Sequence, residues 1–300
     1  MANDENITGA EWLKRRNAEV AASIEKQRAA DPRQMFLPGM DEFMRAMPNH
    51  IARSSLFAPV ARGRRKLHDG SILQSRGDAE IRFSGKQLDE AQADVWMQAM
   101  KEAQRAPLGT PVVINRAEFL RAIGRTTQGE NYKWLHRTMQ DLAFAMLVIE
   151  VRKADGKPKL SIGKTQALHL IAGFDYNEDT EEYTLTIDPR WRAMYGNQEF
   201  ALIDWEKRRE FGRNQDMAKT LQRLVATSAN PVQRYALDWL KSKMEYTGRP
   251  RDFRDAITRA VAELERLKII AEGRIEDSTK GKPQLALWLP PTPQGPPPSA

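Results

Sequence analysis

GRPRDFRDAITRAVAELERLKII, residues 248–270, places Phe253, Ile257, Ala260, Leu264 and Leu267 at spacings of three and four, the period of one buried helix face, with Pro250 suited to the first helical position. The free face opens with Arg249, Arg251 and Arg254 and continues with Thr258 and Arg259. Positive charge therefore gathers at the end where the helix dipole is already positive, an arrangement that stabilises nothing in an isolated domain. It makes sense if an anion approaches, and a helix presenting its first turns to phosphates and base edges is how helix-turn-helix proteins enter the major groove. The plainer alternative is a solvated face balanced by Asp252 and Asp255.

Working outward, residues 205–228 read as one or two helices, and Asn230-Pro231 opens a further helix over 232–246 with Tyr235, Leu237, Trp239 and Leu240 as core candidates. Downstream, 269–275 and 284–289 read as strands joined by a turn over 277–283 that carries Lys280 and Lys282. An upstream stretch repeats the plan. Residues 90–105 read as a helix and 111–114 as a short strand, after which Asn115 caps a helix with Glu118 in the capping-box position. The next helix, 130–146, has a core face of Tyr132, Leu135, Met139, Leu142 and Met146, and an outer face of Lys133, Arg137 and Gln140. A hairpin over 147–162 follows, with Lys157 and Lys159 at its tip.

Helix, turn, helix and a lysine-tipped hairpin is the plan of a winged helix. Gly156-Lys-Pro in the first unit finds an echo in Gly281-Lys-Pro in the second, 125 residues later, as tandem domains would give. Residues 165–171 and 183–187 read as further strands and 189–195 as a short helix. The expected architecture is α+β: two tandem winged-helix domains, 69–163 and 164–289, preceded by a flexible arm over 1–68 and followed by a disordered proline-rich tail over 290–300. Within the arm, 8–29 reads as an amphipathic helix, the apolar stretch 34–57 as a segment that docks on something, and Arg62, Arg64, Arg65 and Lys66 as a basic tether.

Composition narrows the function. The formal charge is +7 with a pI near 9.5, which favours a polyanionic partner. Absence of cysteine excludes disulfides and thiolate metal sites, and the four histidines offer no pair at metal-ligand spacing, so no metal or other cofactor is expected. No apolar run has the length of a membrane span, and a cytoplasmic protein is expected. Ser161-Ile-Gly-Lys-Thr165 ends like a phosphate-binding loop, yet Pro158 stands where that motif needs glycine. His169 has no second histidine beside it for a nicking centre, and the acid pairs at 178–182 fall in a polar turn, so no enzymatic activity is expected.

For DNA, the expected reading positions are Lys133, Arg137 and Gln140 on the first helix, and Arg251, Arg254, Thr258 and Arg259 on the second, with Arg249 a further DNA-binding residue. Lys157, Lys159, Lys280 and Lys282 would reach phosphates from the hairpin tips, fixing register without reading sequence. For each residue singly the alternative is exposed polar surface. A transcriptional repressor could use the same two helices.

Met44-Arg-Ala-Met-Pro-Asn49, followed by Ala52-Arg-Ser-Ser-Leu-Phe57, resembles the TrfA family of plasmid replication initiators, and the likeness continues more weakly through Val95-Trp96, Pro107-Leu-Gly-Thr-Pro111, Glu118-Phe-Leu120 and 129–142. The resemblance implies tandem winged helices that bind direct repeats, or iterons, in double-stranded plasmid origin DNA. It also implies opening of an adjacent AT-rich segment, recruitment of host DnaA and the DnaB helicase, and a monomer-dimer equilibrium in which monomers initiate and dimers restrain. A sliding-clamp motif precedes that block in the family. Gln34, Met35, Phe36 and Leu37 occupy the place here, with Pro38 where the final aromatic usually stands.

Overall fold

The computed structural model describes residues 43–60, 63, 65–76, 78–195 and 199–290. The helix expected over 8–29, the Gln34, Met35, Phe36 and Leu37 stretch, Arg62 and Arg64 of the basic tether, and the tail after Pro290 lie outside the described residues. The chain opens with strand β1 (Met44–Pro48), helix α1 (Asn49–Arg53) and β2 (Phe57–Ala58), followed by β3 (Leu67–Ile72), β4 (Ala79–Lys86) and β5 (Leu88–Asp89). Helix α2 (Glu90–Ala103) leads to β6 (Val112–Asn115), α3 (Arg116–Ala122) and α4 (Gly129–Phe144), then to β7 (Met146–Arg152), β8 (Pro158–Ile162) and β9 (Leu168–His169). The hairpin of β10 (Gly173–Asn177) and β11 (Glu182–Thr186) precedes a 3-10 turn, α5 (Arg192–Tyr195), β12 (Phe200–Asp204) and α6 (Trp205–Glu210). The last part holds α7 (Asp216–Val225), β13 (Val232–Ala236), α8 (Leu237–Lys243), α9 (Pro250–Arg266), β14 (Glu272–Asp277) and β15 (Pro283–Trp288).

This is a mixed α/β fold in which one arrangement occurs twice. In the first unit, α2, β6, α3, α4 and the β10–β11 hairpin follow in order, and β11 lies between β10 and β6. In the second, α7, β13, α8, α9 and the β14–β15 hairpin do the same, with β15 between β14 and β13. The buried faces of the long helices agree: Leu135, Thr138, Met139 and Leu142 of α4 match Ile257, Ala260, Val261 and Leu264 of α9 in order and spacing. Each face is what a 3.6-residue period predicts for a helix covered on one side. Asn115 caps α3 as its type and place predict, accepting from the Ala117 and Glu118 amides.

Several sequence expectations are corrected. The hairpin over 147–162, expected as the first unit's wing, does not join the β10-β11-β6 sheet. Its strands β7 and β8 continue a different sheet, of order β3-β4-β7-β8 with β9 paired to β7. The apolar alternation of Leu147, Ile149 and Val151 seats that hairpin against Ile81 and Phe83 of β4, so its tip lysines belong to the other sheet. The echo between Gly156-Lys-Pro and Gly281-Lys-Pro thus joins hairpins with different places in the fold. Both glycines have positive φ, as a tight hairpin turn requires, and shared turn chemistry accounts for the likeness.

The helix expected over 232–246 begins as strand β13, because Gln233 and Tyr235 turn inward at a period of two and pair with β15 before α8 starts at Leu237. Of the strand expected over 165–171, only Leu168 and His169 pair. The division after Gly163 also differs from the packing. Buried apolar residues from Met44 to Trp205 form one cluster, and those from Phe211 to Leu287 form the other.

The flexible, partner-docking arm expected over 1–68 is corrected in its described part, because the stretch from Met44 on is built into the first core. β1 pairs antiparallel with β12 from Met44↔Asp204 to Pro48↔Phe200, and every residue of β1 is buried. Ala52, Ser54, Ser55, Leu56 and Phe57 are buried as well. A segment so enclosed tolerates few residue types at each position.

Candidate nucleic-acid interface

Helix α9 is seated through Phe253, Ile257, Ala260, Val261 and Leu264, so its other face points outward. Arg249, Arg251, Arg254, Thr258 and Arg259 are all exposed there. None of the four arginines hydrogen-bonds or pairs with an acid through its side chain among the described residues. Thr258 donates its hydroxyl to the Arg254 carbonyl oxygen at 3.0 Å, which holds that side chain along the helix. Arg249 precedes α9 without a side-chain cap, leaving the first backbone N–H groups open beside three guanidinium groups. Lys280 and Lys282 stand exposed at the turn between β14 and β15, also without an acidic partner among the described residues. The second unit therefore presents its expected residues on a helix face and on a hairpin tip, both with uncommitted positive charge among the described residues.

The first unit differs. Lys133, Arg137 and Gln140 are exposed on α4 as expected, but each has a local partner. Lys133 lies 3.3 Å from Glu130, Arg137 donates to the Lys133 carbonyl oxygen at 3.3 Å, and Gln140 reaches His136 at 3.4 Å. The hairpin next to this helix is β10–β11, whose turn carries Glu178, Asp179 and Glu181, an acidic tip that repels phosphate. Lys157 and Lys159 are on the other sheet, where Lys157 sits 3.8 Å from Asp155 and Lys159 pairs with Glu199. The structure does not bring these two lysines into one site with the first hairpin of the unit.

Sequence reasoning missed a cleft of about 580 Å³ between α4 and the β10–β11 hairpin. Tyr132 and His136 line it from α4, Tyr176 and Tyr183 from the sheet, and Arg116 from the start of α3. The Arg116 guanidinium lies over the Tyr132 ring at 4.1 Å and the Tyr176 ring at 5.4 Å, bonds Glu181, and keeps a buried Nε without a hydrogen-bond partner. Burial pushes the Tyr183 hydroxyl up to about 12, so it remains a neutral phenol. With Lys133, Arg137 and Glu130 also lining it, the cleft offers mainly cations and ring faces. The alternation of Phe174, Tyr176, Tyr183 and Leu185 is visible in the sequence. Their meeting with Arg116 is not, because three separate elements supply the walls.

The model of the family described as TrfA protein matches residues 23–280. The plasmid replication initiator protein TrfA of Escherichia coli is 25% identical over 170 residues, covering 56% of this chain and 43% of that relative. The chain thus matches less than half of that relative's length. Among solved structures, a selenomethionine derivative of domains 2 and 3 of RctB superposes with a TM-score of 0.49 at 13% identity, over 81% of this chain and 98% of that chain. A second structure of the same domains gives 0.48 at 12% identity, over 80% and 96%.

Proposed function

The chain belongs to the TrfA protein family, and on that premise we propose that it is a plasmid replication initiator that binds direct repeats in duplex origin DNA through two winged helices. The observation that carries the reading is the outer face of α9, where Arg249, Arg251, Arg254 and Arg259 are exposed and uncommitted at the end of a helix that already favours anions. In this reading α9 lies in one major groove and α4 in the next, about 10 base pairs away. Arg251 and Arg254 read guanine edges, while Lys280 and Lys282 hold phosphates. The first unit contributes Lys133, Arg137 and Gln140, with Arg116 of the aromatic cleft behind them.

Binding of the repeats opens an adjacent AT-rich segment and recruits host DnaA and the DnaB helicase. Gln34, Met35, Phe36 and Leu37 contact the sliding clamp, and a monomer-dimer equilibrium restrains initiation. The protein acts in the cytoplasm by binding alone, without catalysis. Among the described residues no helix is long and apolar enough to cross a membrane.

Footprinting the purified protein on its own plasmid tests the reading. Protected direct repeats at a constant helical phase are expected, and their loss with Arg251→Ala plus Arg254→Ala. A protected promoter palindrome would favour repression instead, and an unchanged footprint in the double variant would remove α9 from the interface.

A further inference from the structure

The two units have separate apolar clusters, and buried charged groups between their first helices join them beside the packing of α7 on α1, β2 and β12. Glu90, the first residue of α2, is fully buried. Its carboxylate accepts from Arg208 Nη2 at 2.7 Å and Thr220 Oγ1 at 2.7 Å, and is paired closely with Arg223. One turn on, Asp94 accepts from Arg208 Nε at 2.7 Å and Lys219 Nζ at 2.7 Å. Lys219, Thr220 and Arg223 belong to α7, and Arg208 to α6.

The same turn of α2 also holds the first reading helix, since Gln92 donates to Asp141 of α4 at 2.8 Å. Helix α9 in turn packs on α7. A continuous mechanical path therefore runs from α4 through α2, the Glu90 and Asp94 cluster, and α7 to α9. An apolar junction can slide by small amounts at little cost. A buried cluster of hydrogen-bonded charges slides at greater cost, because a shift leaves a charge unpaired away from water.

We propose that Glu90 is a positioning residue that sets the one separation of DNA half-sites the protein accepts, by fixing the distance and rotation between α4 and α9. This rests on the reading of both helices as DNA-binding. Each added base pair moves the second half-site by about 3.4 Å along the axis and turns it by about 35°, more than a locked pair of helices can follow.

The test uses the full chain and duplexes carrying its footprinted repeat, with one or two base pairs inserted or removed between the two protected halves. Binding is followed by fluorescence anisotropy. The wild type is expected to lose affinity by ~10-fold or more for each step away from the native spacing. Glu90→Gln is expected to bind the native spacing somewhat less tightly but to lose under ~3-fold per step. If Glu90→Gln does not fold, Asp94→Asn, which leaves the Glu90 pairs in place, should show the same flattening in smaller degree. A folded variant with the wild-type spacing preference, or a wild type indifferent to spacing, overturns the proposal. A wild type that binds no duplex at any spacing overturns the DNA reading itself, a distinct result.

Discussion

Lys243 Nζ donates to the Ser54 carbonyl oxygen at 2.8 Å, 189 residues away along the chain and with both groups buried. The amine joins the second unit to the segment that follows β1. Burial, with Arg223 nearby, pushes its pKa down to about 7, against the pull of Glu90. Between about pH 7 and the ordinary value of 10.5 the unfolded chain holds a proton that the folded chain has released, so stability from this group rises with pH across that window. Urea unfolding at pH 7 and pH 9.5 should show that rise in the wild type and a smaller one in Lys243→Met. Equal slopes in the two proteins would contradict a displaced pKa.

Glu90 gives a slope of the same sign in a lower pH window, but there the charged form is the one favoured by folding. Arg223 and Arg208 outweigh its burial and hold the carboxyl down to about 2, below the ordinary 4.5. Its contribution is present above about pH 4.5 and is lost as pH falls towards 2. Glu90→Gln should therefore lower stability at pH 7 and flatten the acid limb between those values. An unfolding curve in acid that matches the wild type's would argue against the pairing.

Arg251→Ala with Arg254→Ala removes side chains that are exposed and uncommitted, so thermal stability should stay within about 0.5 kcal/mol of wild type. Affinity for the specific repeat should fall by roughly 1 to 3 kcal/mol for each bidentate arginine–guanine pair removed, while binding to random duplex falls far less. If both arginines hold phosphates instead, competition with random DNA would show equal weakening on the two kinds of duplex.

The two hairpins with lysine tips should separate in a salt titration. Lys280→Ala with Lys282→Ala should reduce the slope of log K against log salt by up to about 2, near one for each phosphate that is no longer neutralised. Lys157→Ala with Lys159→Ala should change it less, since Lys159 is paired with Glu199 and Lys157 stands near Asp155 on another sheet. Equal effects would restore the 147–162 hairpin to the interface.

Replacing Leu264 by Ala should cost about 2 to 5 kcal/mol, because that side chain is fully buried in the second core. Chemical denaturation at pH 7 measures it. A destabilisation below about 1 kcal/mol would mean that α9 is seated differently.

Local pattern reveals much of this fold. The buried face of α9, the Asn115 cap and the outer residues of α4 can all be read from residue type and spacing, since each depends on neighbours within a few turns. What could not be read depends on partners far along the chain. Residues 232–236 look helical because apolar residues continue into α8, and only pairing with β15 makes them a strand. The 147–162 hairpin looks like a wing because it follows α4 directly and carries lysines, whereas its sheet is decided by β4, upstream of α2. Arg116 gives no signal alone. Its place over Tyr132 and Tyr176 needs the β10–β11 hairpin to return beside β6.

That return has a consequence for how the chain closes. In the second unit Leu285 comes back to Tyr235 after two helices and one strand, whereas in the first Tyr183 reaches Ile114 only after β7, β8 and β9 have intervened. The entropy of bringing chain ends together grows only with the logarithm of their separation, so even doubling the excursion costs about 0.6 kcal/mol. The interval between α4 and β10 is thus a permissive point in the topology. A ribbon of three strands rides there at almost no thermodynamic penalty to the closure of the sheet beneath it.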